Sequence, residues 1–283
     1  MLTIFTRKLY KNMLMILGWG LGLGLLGYWM FDIYETMFGM NVDLQQLIAA
    51  FPEEMLAFFG GADVNIFEPA GFLHLEFFSY VPVILGIAAV AGATGLIVKQ
   101  EEAGSLELIL AQPVSRTAVF WGKLLALLVT YILILFIIWG GFALGLASTD
   151  SFDLTQAQLI RPFVSLFAVI LLFLSLALML SMVLPTSGAA SMVANLVLIA
   201  SFFITSLAHI EDRLEGVNRF SPLNYYQGGQ ALNGLNIEHV LILLGASVVF
   251  IGVAWLLFEL RDMRFSGTGW LRVAFRRKGD EVA

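Results

Sequence analysis

The residues whose types and spacing point to a function lie between Lys99 and Lys123, in the run KQEEAGSLELILAQPVSRTAVFWGK. This run contains three carboxylates, Glu101, Glu102 and Glu107, together with leucine and isoleucine. This pattern predicts a short amphipathic helix, a turn at Pro113 and a new helix N-capped by Ser115. A helix with leucines and carboxylates suits docking into a groove on a partner protein, and the alternative is a helix that only anchors the loop.

Catalytic and metal chemistry have much weaker support. Three histidines are present, at positions 74, 209 and 239. His74 lies near Glu76, and His209 precedes two acidic residues, so an exposed metal site is conceivable. No H-E-x-x-H spacing supports it, and we expect solvated loop histidines. The absence of cysteine excludes disulfides, thiolate metal sites and cysteine catalysis.

The composition requires a membrane around these elements. Of 283 residues, 59% are hydrophobic and 13% are charged, with a mean hydropathy of +0.89. Soluble domains average roughly 45–50% apolar and about 25% charged residues. The net charge of −6 argues against a nucleic-acid partner. We therefore predict an all-α integral membrane protein with one transmembrane domain over residues 1–283.

Six apolar runs reach the roughly 20 residues that a helix needs to cross a bilayer. They are residues 13–31, 77–98, 120–147, 163–184, 189–208 and 240–258. The first run follows basic residues but has no A-x-A-like exit, so we expect a retained span and not a cleaved signal peptide. Its G-x-x-x-G pairs, Gly18/Gly22 and Gly20/Gly24, permit close helix approach.

The basic residues set the expected orientation. If six spans alternate, every Lys and Arg except Arg161, Arg213 and Arg219 falls on one side. The positive-inside rule places that side, with both termini, in the cytoplasm. The loop over residues 32–76 contains acidic residues and no Lys or Arg, which is consistent. We expect the cytoplasmic membrane of a prokaryote.

Three connecting segments have recognisable patterns. Residues 1–12 predict an interfacial N-terminal helix whose apolar face carries Leu2, Phe5 and Leu9. Residues 184–188, Leu-Pro-Thr-Ser-Gly, predict a tight hairpin between the fourth and fifth spans. The polar, glycine-rich residues 209–239 predict a partly re-entrant or interfacial helical element on the outer side.

The run between Lys99 and Lys123 resembles the signature of type-2 ABC-transporter permeases, E-x-x-x-G-T-L-E-x-L-L-x-x-P-[VI]-S-R with a following lysine. Ser105 replaces the usual threonine of that signature and keeps the hydroxyl. Shorter stretches are also similar to this family, at Phe51–Gly60, Ser221–Tyr226 and Phe258–Asp262. The ordered matches extend over nearly the whole chain.

The resemblance implies the membrane half of an exporter, paired with a second, identical or different permease subunit. A separate cytoplasmic ATPase would bind ATP and Mg²⁺, because this chain has no G-x-x-x-x-G-K-[ST] motif and no cofactor is expected in it. The implied ATPase-coupling residues are Glu101, Glu102, Gly104, Ser105, Leu106, Glu107, Leu110, Pro113, Ser115, Arg116 and Lys123. Arg116 and Lys123 would anchor the third span and pair with Glu101, Glu102 or Glu107, or act only as positive-inside anchors.

Three other functions stay open at the level of sequence. An ion-coupled transporter would normally carry an ionisable group inside its spans. The span interiors offer only neutral polar groups, at Thr94, Ser175, Ser181, Asn195, Ser201 and Thr205. An intramembrane enzyme would need a nucleophile and base at membrane depth. A membrane sensor or scaffold linked to an ATPase is the third. The apolar, aromatic-rich spans would suit lipids, peptides or amphipathic drugs as substrates.

Overall fold

A computed structural model of the chain describes residues 1–39, 57–58, 68–104, 114–149 and 152–260. Within these residues, six helices or helical segments are long and apolar enough to cross a membrane, which confirms the predicted number. These spans, numbered first to sixth, are Met13–Gly39, Pro69–Thr94, Arg116–Ala147, Gln156–Val183, Ser187–Ala208 and Ile237–Leu260. The predicted all-α membrane fold is confirmed.

The fourth span forms the centre of the bundle. It contacts the second, third, fifth and sixth spans, and 72% of its most apolar 18-residue stretch is buried. In the fifth and sixth spans, only 28% and 22% of the corresponding stretch is buried. Other helices therefore surround the fourth span, whereas much of the surface of the fifth and sixth spans faces away from the bundle.

The first span packs along the third through glycine. A Cβ atom added at Gly20 would lie 3.0 Å from the Ile137 side chain, and one at Gly24 would lie 3.1 Å from the Ile137 carbonyl oxygen. Gly18 and Gly22 have nothing within 4 Å of such an atom. Of the two G-x-x-x-G pairs, only Gly20/Gly24 therefore serves the predicted close approach of these helices.

The second span differs from its predicted bounds of 77–98 at both ends. It begins with the helix Pro69–Leu73, continues as a π-helical turn over His74–Phe78, and finishes as the helix Val81–Thr94. A turn then leads to the short helix Val98–Glu102. The apolar run alone did not reveal these breaks, because residues 93–98, directly around the break after Thr94, are mostly apolar.

The N-terminal helix Leu2–Lys11 lies against the start of the third span. A Cβ atom added at Gly122 would lie 3.4 Å from the Ile4 side chain, so Ile4 packs directly against this glycine. After this helix, the buried Asn12 amide donates to the Thr130 hydroxyl at 3.0 Å. The helix was predicted correctly, but Leu2 is 78% exposed and does not belong to its packed face.

The two ends of the bundle are built differently. The near end carries the N-terminal helix, the Val98–Glu102 helix and the tight turn before Ser187. The far end carries short helical turns that follow the fifth span, at Asp212–Leu214, Glu215–Asn218, Pro222–Tyr225 and Gly228–Leu232. The predicted helical element between residues 209 and 239 is thus confirmed as a series of turns.

Candidate functional site

The predicted coupling segment is described at its two flanks. Its first flank is the helix Val98–Glu102, which Gly104 follows two residues later. Gly104 has a φ of 67°, the left-handed conformation that glycine adopts without strain. Its second flank begins at Ser115, whose hydroxyl accepts the Ala118 N–H at 3.2 Å and caps the third span as predicted. Five predicted residues lie outside the described part of the chain: Ser105, Leu106, Glu107, Leu110 and Pro113.

Glu102 connects the first flank to the fifth span. The Ser187 N–H donates to Oε1 of Glu102 at 2.7 Å, and the Ser187 hydroxyl donates to Oε2 at 2.6 Å. Ser187 is the first residue of the fifth span, and the Thr186 hydroxyl caps the same helix end through the Ala189 N–H. The carboxylate therefore sits at the positive end of a helix dipole, where a negative charge is stabilised.

Lys123 is buried at the near end, with 3% of its surface exposed. Its ammonium group donates to Oε1 of Gln100 at 2.6 Å. This neutral amide lies one residue before the acidic pair Glu101 and Glu102. The pairing of Lys123 with Glu101, Glu102 or Glu107 stays a prediction.

The start of the third span is also bonded to the end of the sixth. The Thr117 hydroxyl donates to Oε1 of Glu259 at 2.6 Å, and Nη1 of Arg116 reaches the Glu259 carbonyl oxygen at 3.5 Å. Glu101 is buried, with 9% of its surface exposed. Arg116 thus lies where a span anchor was predicted.

These near-end contacts join four helices through three polar side chains. Glu102 links the second span's extension to the fifth span, Lys123 links that extension to the third, and Glu259 links the third to the sixth. Such bonds can transmit movement between helices, but they hold no reactive group. The sequence reasoning missed Gln100, Ser187 and Glu259 because their partners are distant in the sequence.

A second candidate region is a pocket of about 140 Å³ at the far end. It lies between the far parts of the second and fifth spans and the turns over Pro222–Tyr225 and Gly228–Leu232. His74 and His209 both line it. Among the residues that the structure describes, no group of three or more potential metal ligands occurs.

His74 departs from the predicted solvated loop histidine. It begins the π-helical turn and is half-buried, and its Nδ1 accepts the Gly229 N–H at 3.1 Å. Gly228 has a φ of 50°, and a Cβ atom there would lie 2.7 Å from this Nδ1. Only glycine fits so close to the imidazole ring. The Gly-Gly pair was a sequence signal for this approach, but the sequence did not show what approached it.

Comparison with known proteins identifies the family. A family model described as "ABC-2 family transporter protein" matches residues 13–263, a range that contains all six spans and both flanks of the predicted coupling segment. A search of curated proteins finds no match. The six apolar helices and this match together indicate a multi-pass membrane protein that serves as a transmembrane transporter subunit. The chain belongs to the ABC-2 family of transporter proteins.

Proposed function

We propose that the chain is the permease subunit of an ATP-driven exporter and that a separate cytoplasmic ATPase binds ATP and Mg²⁺. The family match supports a transporter subunit, and the sequence lacks a phosphate-binding G-x-x-x-x-G-K-[ST] motif. The bond between Glu102 and Ser187 carries the proposal, because it gives the coupling segment a direct connection to a membrane span.

In this proposal the near end faces the cytoplasm of a prokaryote, with both termini on that side. Of the nine Lys and Arg residues that the structure describes, six lie at the near end, as the positive-inside rule requires. The segment between Gly104 and Ser115 would then dock on the ATPase. Its leucines would enter an apolar groove, and Glu107 would meet basic residues at the groove's rim.

Movement of the docked segment would reach the spans through the near-end bonds. A pull on Glu102 acts on the first turn of the fifth span, where two hydrogen bonds hold the carboxylate. The bond from Thr117 to Glu259 would carry movement of the third span to the sixth. ATP-driven closure of the ATPase would thereby shift the outward-facing fifth and sixth spans relative to the central fourth span.

A second permease subunit would cover the fifth span. Its outward face carries exposed apolar side chains, at Met192, Leu196, Ile199 and Phe203. Asn195 lies beside this face, and its carbonyl oxygen is buried without a hydrogen-bond partner among the described residues. A polar group at membrane depth favours association with another helix that can bond it. This supports a paired permease, of identical or different subunits.

Cysteine cross-linking and labelling test the pairing and the orientation. The chain has no natural cysteine, so none has to be removed before single cysteines are introduced. Leu196→Cys should form cross-linked dimers in native membranes, whereas the equally exposed Leu144→Cys on the third span should not. Thr3→Cys on the N-terminal helix should react with an impermeant maleimide only after the membrane is opened. Labelling of Thr3→Cys in intact cells would contradict the orientation.

Co-purification tests the ATPase assignment. The chain is co-expressed with an ATPase encoded beside it, and assembly and ATP turnover are measured for wild type and for the double variant Glu102→Arg, Leu106→Arg. The wild type should bind the ATPase and stimulate it, and the double variant should do neither. Normal stimulation by the double variant would refute the coupling segment, and a wild type that binds no ATPase would refute the function.

A further inference from the structure

We infer that the far-end pocket is a binding site for an uncharged, polyhydroxylated group of the size of one sugar ring. The pocket of about 140 Å³ is lined by polar groups together with aromatic and aliphatic side chains. No residue of the chain's predicted coupling machinery contributes to it. The inference concerns this chain alone and does not depend on the proposed ATPase.

The polar wall offers hydrogen-bonding groups without formal charge. It carries three amide side chains, Asn224, Gln227 and Gln230, together with the two imidazoles. The described lining includes no Asp, Glu, Lys or Arg. A charged ligand would find no opposite charge on this described lining to offset the loss of its hydration. Amide and imidazole groups instead offer hydrogen-bond donors and acceptors, which is what a hydroxyl group needs.

Several of these groups are held in place by the protein and others are open to a ligand. His74 accepts the Gly229 N–H through Nδ1, so its neutral form carries the proton on Nε2 as a donor. Asn224 accepts an N–H from Asn218 through Oδ1, which leaves its amide N–H groups for a ligand. Neither Gln230 nor His209 makes a side-chain hydrogen bond to another described residue.

The apolar wall complements these donors. Phe58 and Phe202 form an edge-to-face pair with ring centroids 5.9 Å apart, and Pro82 and Leu223 continue the same surface. A sugar ring presents C–H groups on its faces and hydroxyls around its edge. Aromatic rings next to side-chain amides match both features at once. The Gln227 amide already bonds to Asn236. A purely apolar ligand would nevertheless leave the Asn224 N–H groups and the Gln230 amide unpaired.

The pocket is also built in advance of any ligand. The hydroxyls of Ser201, Thr205 and Ser221 bond to one another at 2.6 and 2.8 Å, and Thr205 donates onward to Asn218. The Leu223 N–H donates to Ser201, which fixes the turn that carries the pocket's rim. A wall ordered in this way needs little rearrangement on binding, so less free energy is lost.

The test is a binding measurement on the full chain in lipid nanodiscs free of glycoside detergents. The probes are methyl β-glucoside, glucose 6-phosphate, glucosamine and cyclohexanol, and saturation-transfer NMR reports binding. We expect saturable binding of methyl β-glucoside. Affinity for each of the other three probes should be lower by about tenfold or more, the factor that roughly 1.4 kcal/mol represents.

Two variants locate the site, and a third is their control. Gln230→Leu and His209→Phe each remove an unbonded polar group from the pocket wall, and each should weaken methyl β-glucoside binding by about tenfold. Asn233→Leu removes an exposed amide from the same far end but outside the pocket, and it should bind as wild type does. Thermal unfolding of each variant confirms that it has folded.

Three results would overturn the inference. These are no methyl β-glucoside binding by the folded wild type, equal or tighter binding of glucose 6-phosphate, and unchanged binding by both Gln230→Leu and His209→Phe. None of these outcomes bears on the ATPase proposal, because no ATPase is present in the experiment. Failure of the chain to assemble with an ATPase would likewise leave the pocket assignment standing.

Discussion

The near and far ends of the bundle hold their helices together with different chemistry. At the near end, charged side chains reach between helices, as Glu102 does to Ser187 and Lys123 does to Gln100. At the far end, neutral hydroxyls and amides form a connected network around Ser201 and Ser221. In the proposed function, the charged bonds of the near end would receive force from the ATPase, whereas the neutral network of the far end holds a preformed pocket.

The largest effect that would test this contrast is expected for Glu102→Ala. The bonds between Glu102 and Ser187 are charge-assisted, and such bonds contribute about 1.5–3 kcal/mol where they are not fully screened by water. Loss of roughly 1.4 kcal/mol from the coupled conformation would lower ATPase stimulation about tenfold. The measurement is ATP turnover of the co-purified complex.

The control for this prediction is Glu238→Ala. Like Glu102, Glu238 is an exposed carboxylate at the N-terminal end of a span. It differs from Glu102 because it belongs to that span itself, the sixth, and lies at the far end. It should leave ATPase stimulation unchanged. Equal losses in the two variants would mean that any carboxylate at a helix start has this effect and that the near end is not special.

The next largest effect is expected for Ser201→Ala at the far end. The change leaves the buried Leu223 N–H without its partner, which costs about 1–3 kcal/mol of stability, and removes one of the contacts of the Ser221 hydroxyl. Thermal unfolding in nanodiscs should show a lower midpoint. Ser191→Ala on the same helix removes only a contact to Asn195 and should change the midpoint much less.

Thr117→Val should have a smaller effect at the near end. Valine keeps the shape of threonine but removes the hydroxyl that donates to Glu259 at 2.6 Å, and the loss is about 1 kcal/mol. Since the lost bond involves a carboxylate at a partly exposed site, the difference from wild type should shrink in high salt. The Ser201→Ala difference, which involves no charge, should be the same at low and high salt.

The smallest effect is expected for the pH dependence set by Lys8. Burial, together with the nearby Lys11, holds the pKa of Lys8 below its usual value of 10.5. Its charged form is therefore disfavoured in the folded state, so stability should rise as the pH rises from the lowered pKa towards 10.5. Lys8→Met should flatten this alkaline rise in the unfolding midpoint, and Lys99→Met, at an exposed position, should preserve it.

Much of the fold could be predicted from the sequence because membrane spans follow from local apolarity. The runs beginning at residues 120 and 189 needed only small corrections, to Arg116 and Ser187. The second span was predicted less well, since the polar residues His74 and Glu76 interrupt the apolar run before residue 77 and the break after Thr94 lies within apolar residues. Capping by Ser115 was predicted correctly because a cap and its helix are adjacent in sequence.

The candidate sites were less predictable because their contacts are distant along the chain. Glu102 could be selected by its pattern, but its partner Ser187 lies 85 residues later. The pocket joins His74 to residues beyond 200, and its neutral amides carry no motif that a sequence reader would select. Neutral polar residues in a loop are common, and only their convergence in space distinguishes these.

The π-helical turn has a consequence for the length of the second span. The Ser79 N–H bonds to the His74 carbonyl five residues earlier, at 2.8 Å, so this turn holds one residue more than an α-helical turn. Removing a single residue there would restore α-helical register and rotate everything before it by roughly 100°. His74 would then turn away from Gly229. The second span should therefore accept many changes of side chain but no loss of a residue between His74 and Phe78.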